Sequence, residues 1–210
     1  MNYLAHILLS GDNPDVKIGN FIGDYVKGSQ YLKYSEDIQR GILLHRQIDK
    51  FTDTHPLVKD SMLIFRPKYR KYAGVIVDVV YDHFLTHNWN KYSDVTLNQF
   101  VNETHKLIMR RYFSLPNKIK QFLPYLIRSR RLEAYAEIEG LRKTFHIMSG
   151  HTSLPDFSNW AVEQVEENYD LIESQFLPFF DEIREMAANF LNKEDILIHP
   201  SSPDHSVATA

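Results

Sequence analysis

The chain has 210 residues, 43% hydrophobic and 24% charged, which are ordinary globular values and enough length for one large domain. It contains no cysteine, so a disulfide framework, a thiol nucleophile, an iron–sulfur cluster and a cysteine zinc site are all excluded. A net charge of −3 excludes nucleic-acid binding by bulk charge, and no apolar run approaches the roughly 20 residues that span a bilayer. The opening MNYLAHILLSG lacks the basic n-region of a signal peptide, so a cytoplasmic protein is expected.

In chain order, Asn2 and Pro14 mark the starts of a short first helix and a second one. Residues 36–51 carry Ile38, Ile42, Leu43, Ile48 and Phe51 on one side, a helical spacing. Gly74 to Tyr81 is rich in β-branched residues and reads as a strand by propensity alone. Its apolar character runs on through Phe84 and Leu85 with no partner strand nearby, so it is assigned as a buried helix. Leu97, Phe100, Val101, Thr104, Leu107 and Ile108 define another helix. Phe176, Phe179, Phe180, Ile183, Met186, Ala187 and Phe190 define a last one, with Pro178 expected to start or kink a turn. Pro56, Pro67, Pro116 and Pro155 are read as boundaries. The expectation is a single all-α domain over residues 1–200, of about eight helices, followed by a disordered tail at 201–210.

No phosphate loop, GxGxxG, GxSxG or HExxH occurs. What stands out is imidazole and carboxylate inside apolar helical stretches. His45, Asp49 and Asp53 are spaced by four and share a helix face; Asp78 and Asp82 do likewise, with His83 next to Asp82. His6 and Asp24 are two further candidates. Unpaired carboxylates on apolar faces are costly, so a group of them coordinates a cation or pairs with one. With histidine and oxygen ligands alone, Mn²⁺ or Mg²⁺ is favoured. Each residue also has a structural reading: Asp24 or Asp53 as a cap, His6 as a core histidine, Asp49 as the partner of Arg46 or Lys50.

From Thr104 to Leu132 the charged residues are Lys106, Arg110, Arg111, Lys118, Lys120, Arg128, Arg130 and Arg131, with no acid among them. A smaller run places Lys68, Arg70 and Lys71 beside Tyr69 and Tyr72. Such a surface suits an acidic partner, a solvated helix face, or RNA where aromatic and basic residues alternate.

Five blocks in order resemble the acyl carrier protein phosphodiesterase family, distant relatives of the HD-type metal phosphohydrolases. They are Asn2-Tyr-Leu-Ala-His6, Gly19-Asn-Phe-Ile-Gly-Asp-Tyr-Val-Lys-Gly28, Gly41-Ile-Leu-Leu-His-Arg-Gln-Ile-Asp49, Thr52-Asp53 and Asp78-Val-Val-Tyr-Asp-His-Phe84. Ile138-Glu-Gly-Leu-Arg142 with Met148-Ser149 is a looser match, and His151 stands where Arg is expected. The resemblance implies an HD-domain-like fold and metal-dependent removal of 4′-phosphopantetheine from holo-acyl carrier protein, a small and strongly acidic substrate. It implies Asp24, His45, Asp78, Asp82 and His83 as ligands of Mn²⁺ or Mg²⁺. His6 and Asp49 would serve in acid–base or supporting roles, and Arg46 and Arg142 would face the phosphate. Lys106, Arg110, Arg111, Arg128, Arg130 and Arg131 would then meet the carrier. A phosphohydrolase acting on a nucleotide, and a non-catalytic helical RNA- or protein-binding module, stay open as alternatives.

Overall fold

The computed structural model describes residues 3–128 and 135–198. The expected Asn2 cap, Arg130, Arg131 and the 201–210 tail lie outside these residues, as does the side chain of Arg128. Among the described residues there are eleven α-helices, four short 3-10 segments and no strand. The all-α expectation therefore holds, with more helices than periodicity suggested. The short first helix expected from the sequence is α1 (Tyr3–Leu8), whereas α6 (Trp89–Tyr92) was not anticipated, since four residues are too few for a repeat to show.

The others are α2 (Pro14–Ile22), α3 (Glu36–Thr54), α4 (Pro56–Tyr69), α5 (Ala73–His87), α7 (Leu97–Arg110), α8 (Asn117–Arg128), α9 (Ile138–His151), α10 (Ser158–Glu167) and α11 (Tyr169–Ile198). Pro14 and Pro56 occupy first-turn positions, where a missing N–H costs nothing, and Asn13 caps α2 by accepting from the Asp15 and Val16 amides. Two prolines behave differently from expectation. Pro67 lies inside α4 near its end, and Pro178 lies inside the 30-residue α11. Pro178 is exposed, so water can satisfy the Ser174 carbonyl that it leaves unbonded.

The β-branched run is α5, and its burial explains its composition. Ile76, Val77, Val79, Val80, Tyr81, Phe84 and Leu85 are all buried, so the helix is apolar on nearly every side. Phe176 and Phe179 of α11 cover it, with the Tyr81 ring 5.3 Å from both. Among the described residues no helix is long and apolar enough to cross a membrane.

Candidate metal centre

Two glycines bring α2 and α3 into backbone contact. A Cβ at Gly19 would stand 2.1 Å from the Ile38 carbonyl oxygen, and one at Gly41 would stand 2.1 Å from that of Val16. No other side chain fits at either position. The close crossing carries Asn20, on α2, against His45, on α3. One turn later a Cβ at Gly23 would lie 2.3 Å from His45 Cγ, so that glycine makes room for the ring.

Asn20 then fixes both imidazoles. Its side-chain NH₂ donates to the His6 carbonyl oxygen at 2.8 Å and to Ser10 Oγ at 2.9 Å. Its Oδ1 is left facing His6 Nδ1 at 2.8 Å, and an amide oxygen only accepts, so Nδ1 carries the hydrogen. The Asn20 backbone oxygen faces His45 Nδ1 at 2.9 Å and imposes the same assignment there. The rings stack with centroids 4.2 Å apart. In the neutral state both Nε2 atoms present lone pairs to the same place.

That place holds carboxylates. Asp49 Oδ1 is 3.3 Å from His6 Nε2, Asp49 Oδ2 is 3.2 Å from His45 Nε2, and Asp24 Oδ1 is 3.4 Å from His45 Nε2. The histidines are buried, whereas the Asp49 and Asp24 side chains are 43% and 60% exposed, so the centre opens to solvent on its carboxylate side.

Four groups that accept, facing one another, need a positive charge among them. In the free protein the charge is a proton. Burial alone would depress the His45 imidazole, but the bonds to Asp24 and Asp49 overcome it and push it up to about 9. Burial lowers His6 despite Asp49. Burial would raise Asp49, but the bonds to both histidines hold its carboxyl well below the usual carboxylate range; the His45 bond lowers Asp24. Ligand atoms of His6, His45 and Asp49 all lie within 4.8 Å of one another, and His45 Nε2 is buried without a well-formed hydrogen bond. A donor set of two imidazole nitrogens and carboxylate oxygen fits a divalent first-row cation or Mg²⁺.

The other expected site residues fall elsewhere. Asp82 is fully buried and receives the Leu4 amide at 3.3 Å, so it seats the start of α1, the helix that carries His6. His83 has other neighbours: its Nδ1 donates to the Tyr135 carbonyl at 2.7 Å, and its ring lies 4.2 Å from that of His87. Successive helical side chains diverge by about 100°, and among the described residues neither Asp82 nor His83 joins the group of His6, His45 and Asp49. Asp78 is half-buried on α5, and its charge adds to burial in raising the Asp53 carboxyl.

Arg46 does not face the centre with its Nη2, which donates to the Val26 and Gly28 carbonyls at 3.0 and 2.7 Å. Arg142 bonds Glu139 and Asn159, and His151 is exposed at the end of α9. Of the basic stretch, Lys106, Arg110 and Arg111 are exposed, and Arg111 pairs with Asp15 at 2.6 Å. Sequence reasoning missed Asn20 as a functional residue. The signal was its place inside a glycine-flanked block, between two helices that must touch.

A family model described as Acyl carrier protein phosphodiesterase matches residues 1–183. A protein of Enterobacter sp. (strain 638) bearing that name is 31% identical over 190 residues, 90% of this chain and 98% of the relative. One from Yersinia enterocolitica is 32% identical over 181 residues, 86% and 94% of the two chains, and one from Photorhabdus laumondii is 31% identical over 191 residues, 90% and 96%. No solved structure matches the chain significantly.

Proposed function

The chain belongs to the acyl carrier protein phosphodiesterase family, and on that premise we propose that it hydrolyses holo-acyl carrier protein, releasing 4′-phosphopantetheine and leaving the apo-protein with a free serine. The observation that carries this reading is the convergence of His6 Nε2, His45 Nε2 and Asp49 on one point beside solvent. His6, His45 and Asp49 would hold a divalent cation, Mn²⁺ or Mg²⁺, with Asp24 at its open side. Such an ion polarises a phosphoryl oxygen and acidifies water.

The chain's own residues supply the rest. Asn20 keeps the hydrogen of both rings on Nδ1, so that Nε2 is the ligating atom in each. Asp49 spans the two rings and balances charge. Asp24, with an ionised and exposed carboxylate, is placed to take the proton of an attacking water. Asp82 acts at a distance, by seating the helix that delivers His6. Arg46 acts by holding the segment after Asp24 in place rather than by clamping phosphate. The exposed Lys106, Arg110 and Arg111 add positive potential towards an acidic protein substrate.

Incubating the protein with holo-acyl carrier protein and Mn²⁺, and weighing the carrier by mass spectrometry, tests the reading. Loss of the phosphopantetheine arm is expected. Turnover of a nucleotide panel with the carrier intact would favour the small-phosphoester alternative instead.

A further inference from the structure

The inference rests on the reading above and concerns how the substrate is held. In a holo-carrier the phosphate is esterified to a serine of the protein itself, one oxygen from its surface. The carrier body must therefore lie against whatever borders the metal centre.

One exposed segment follows directly on Asp24, the carboxylate at the solvent side of the centre. From Tyr25 to Ser35 there is no acidic residue, while Lys27 and Lys33 are exposed and Leu32 is 61% exposed. An isolated exposed leucine is common, but this one sits between two lysines on a segment whose backbone is tied down. Gln30 N–H donates to the Lys27 carbonyl at 3.1 Å and Tyr34 N–H to that of Tyr31 at 3.1 Å. Gly28, at φ +54°, allows the turn between two 3-10 segments.

The tie to the centre is Arg46, the residue after His45. Its guanidinium lies 5.2 Å from the Tyr31 ring centroid, and its Nη2 bonds the two carbonyls on either side of Lys27. One stretch of α3 thus carries two of the ligands, His45 and Asp49, and holds this segment. Elsewhere α7 carries a second basic surface, but its link to the site is indirect. Arg111 meets Asp15 at the first turn of α2, nine residues and roughly 13 Å of helix rise and turn before Asp24.

We propose that residues 27–33 are the docking platform for the carrier protein. Lys27 and Lys33 meet carboxylates flanking the modified serine, and Leu32 makes the apolar contact at the centre of the patch. The partner so defined is an acidic protein surface with an exposed apolar side chain beside its phosphorylated serine.

Steady-state kinetics with holo-carrier protein test the platform, using Leu32→Ser and the double variant Lys27→Glu/Lys33→Glu beside Lys106→Glu/Arg110→Glu. Hydrolysis of bis(p-nitrophenyl) phosphate with Mn²⁺ serves as a substrate that needs no docking. The platform predicts that KM for the carrier rises about tenfold or more in the first two variants, with kcat within about twofold. The small-ester rate should be unchanged, and the effect of the double variant should shrink at high salt. An unchanged KM in both, with the wild-type protein releasing phosphopantetheine, overturns the platform and leaves the proposed function standing. A rise in KM only for the α7 pair moves docking to α7 and overturns it too. A wild-type protein that cleaves the small ester but never the carrier overturns the function and the platform together.

Discussion

Asn20 Oδ1 stands 2.8 Å from His6 Nδ1, and this contact decides which nitrogen of a buried ring faces the carboxylates. Replacing Asn20 with Leu removes the acceptor and lets the His6 ring carry its hydrogen on either nitrogen. Outer partners of this kind change metal affinity by about 10–100-fold. The Asn20→Leu protein is expected to stay helical by circular dichroism and to bind Mn²⁺ that much more weakly by titration calorimetry. Undiminished affinity would show that Asn20 only packs.

Metal uptake should release a proton. Free His45 is protonated up to about pH 9, held so by Asp24 and Asp49, whereas a cation takes the neutral ring. Adding Mn²⁺ at pH 7 in weak buffer is expected to acidify the solution by about one proton per site, with the release fading as the starting pH passes 9. Asp49→Asn should abolish stoichiometric Mn²⁺ binding and lower the His45 titration followed by NMR. Proton release that is the same at pH 7 and pH 10 would contradict this protonation state.

The glycines differ in what a methyl group would strike. At Gly23 it meets the His45 ring, a side chain that must turn away, so Gly23→Ala should cost about 1–3 kcal/mol of stability and remove most activity. At Gly19 it meets backbone oxygen of α3, which has no way to turn, and Gly19→Ala should destabilise by more than Gly23→Ala. Urea denaturation of both variants gives the order. A Gly19→Ala protein as stable as the wild type would mean that the two helices separate freely.

Asp82 and His83 should hide each other's pH dependence. Burial pushes the Asp82 carboxyl up to about 7, so folding favours its protonated form, and its contribution to stability grows as pH falls from 7 towards 4. Burial pushes His83 down to about 4, so the unfolded chain takes the proton first and stability is lost as pH falls from 6.5 to 4. The two effects, each about 3–4 kcal/mol at full extent, oppose each other over that window. Asp82→Asn should expose a steep loss of stability on acidification, and His83→Gln a gain. Urea midpoints from pH 4.5 to 7.5 that run parallel in all three proteins would refute the compensation.

Much of the fold was legible because long helices repeat their burial. Ile38, Ile42 and Ile48 announced α3, and the β-branched residues of α5 were assigned correctly once neighbouring context outweighed propensity. Four-residue α6 gave no periodicity to detect. In the centre, the four-residue spacing of His45 and Asp49 was visible, as were His6 and Asp24. Asn20 was not, since an uncharged amide in a helix carries no sign of the two rings that it orients. Asp82 shows the opposite difficulty: a buried aspartate that receives backbone amides looks, in sequence, like one that receives a cation. Only the neighbour across the helix interface tells them apart.

The bond from Leu4 N–H to Asp82 joins residues 78 positions apart, and it bears on the order in which the molecule is put together. A lone six-residue helix does not persist in water. A half-assembled chain therefore has His45 and Asp49 in register on one helix but lacks the third donor until the first turn of the chain has settled onto α5. A cation that needs all three donors discriminates between these states. By mass action it draws the population towards the finished fold, so resistance to proteases that cut near the N-terminus should climb with Mn²⁺ concentration.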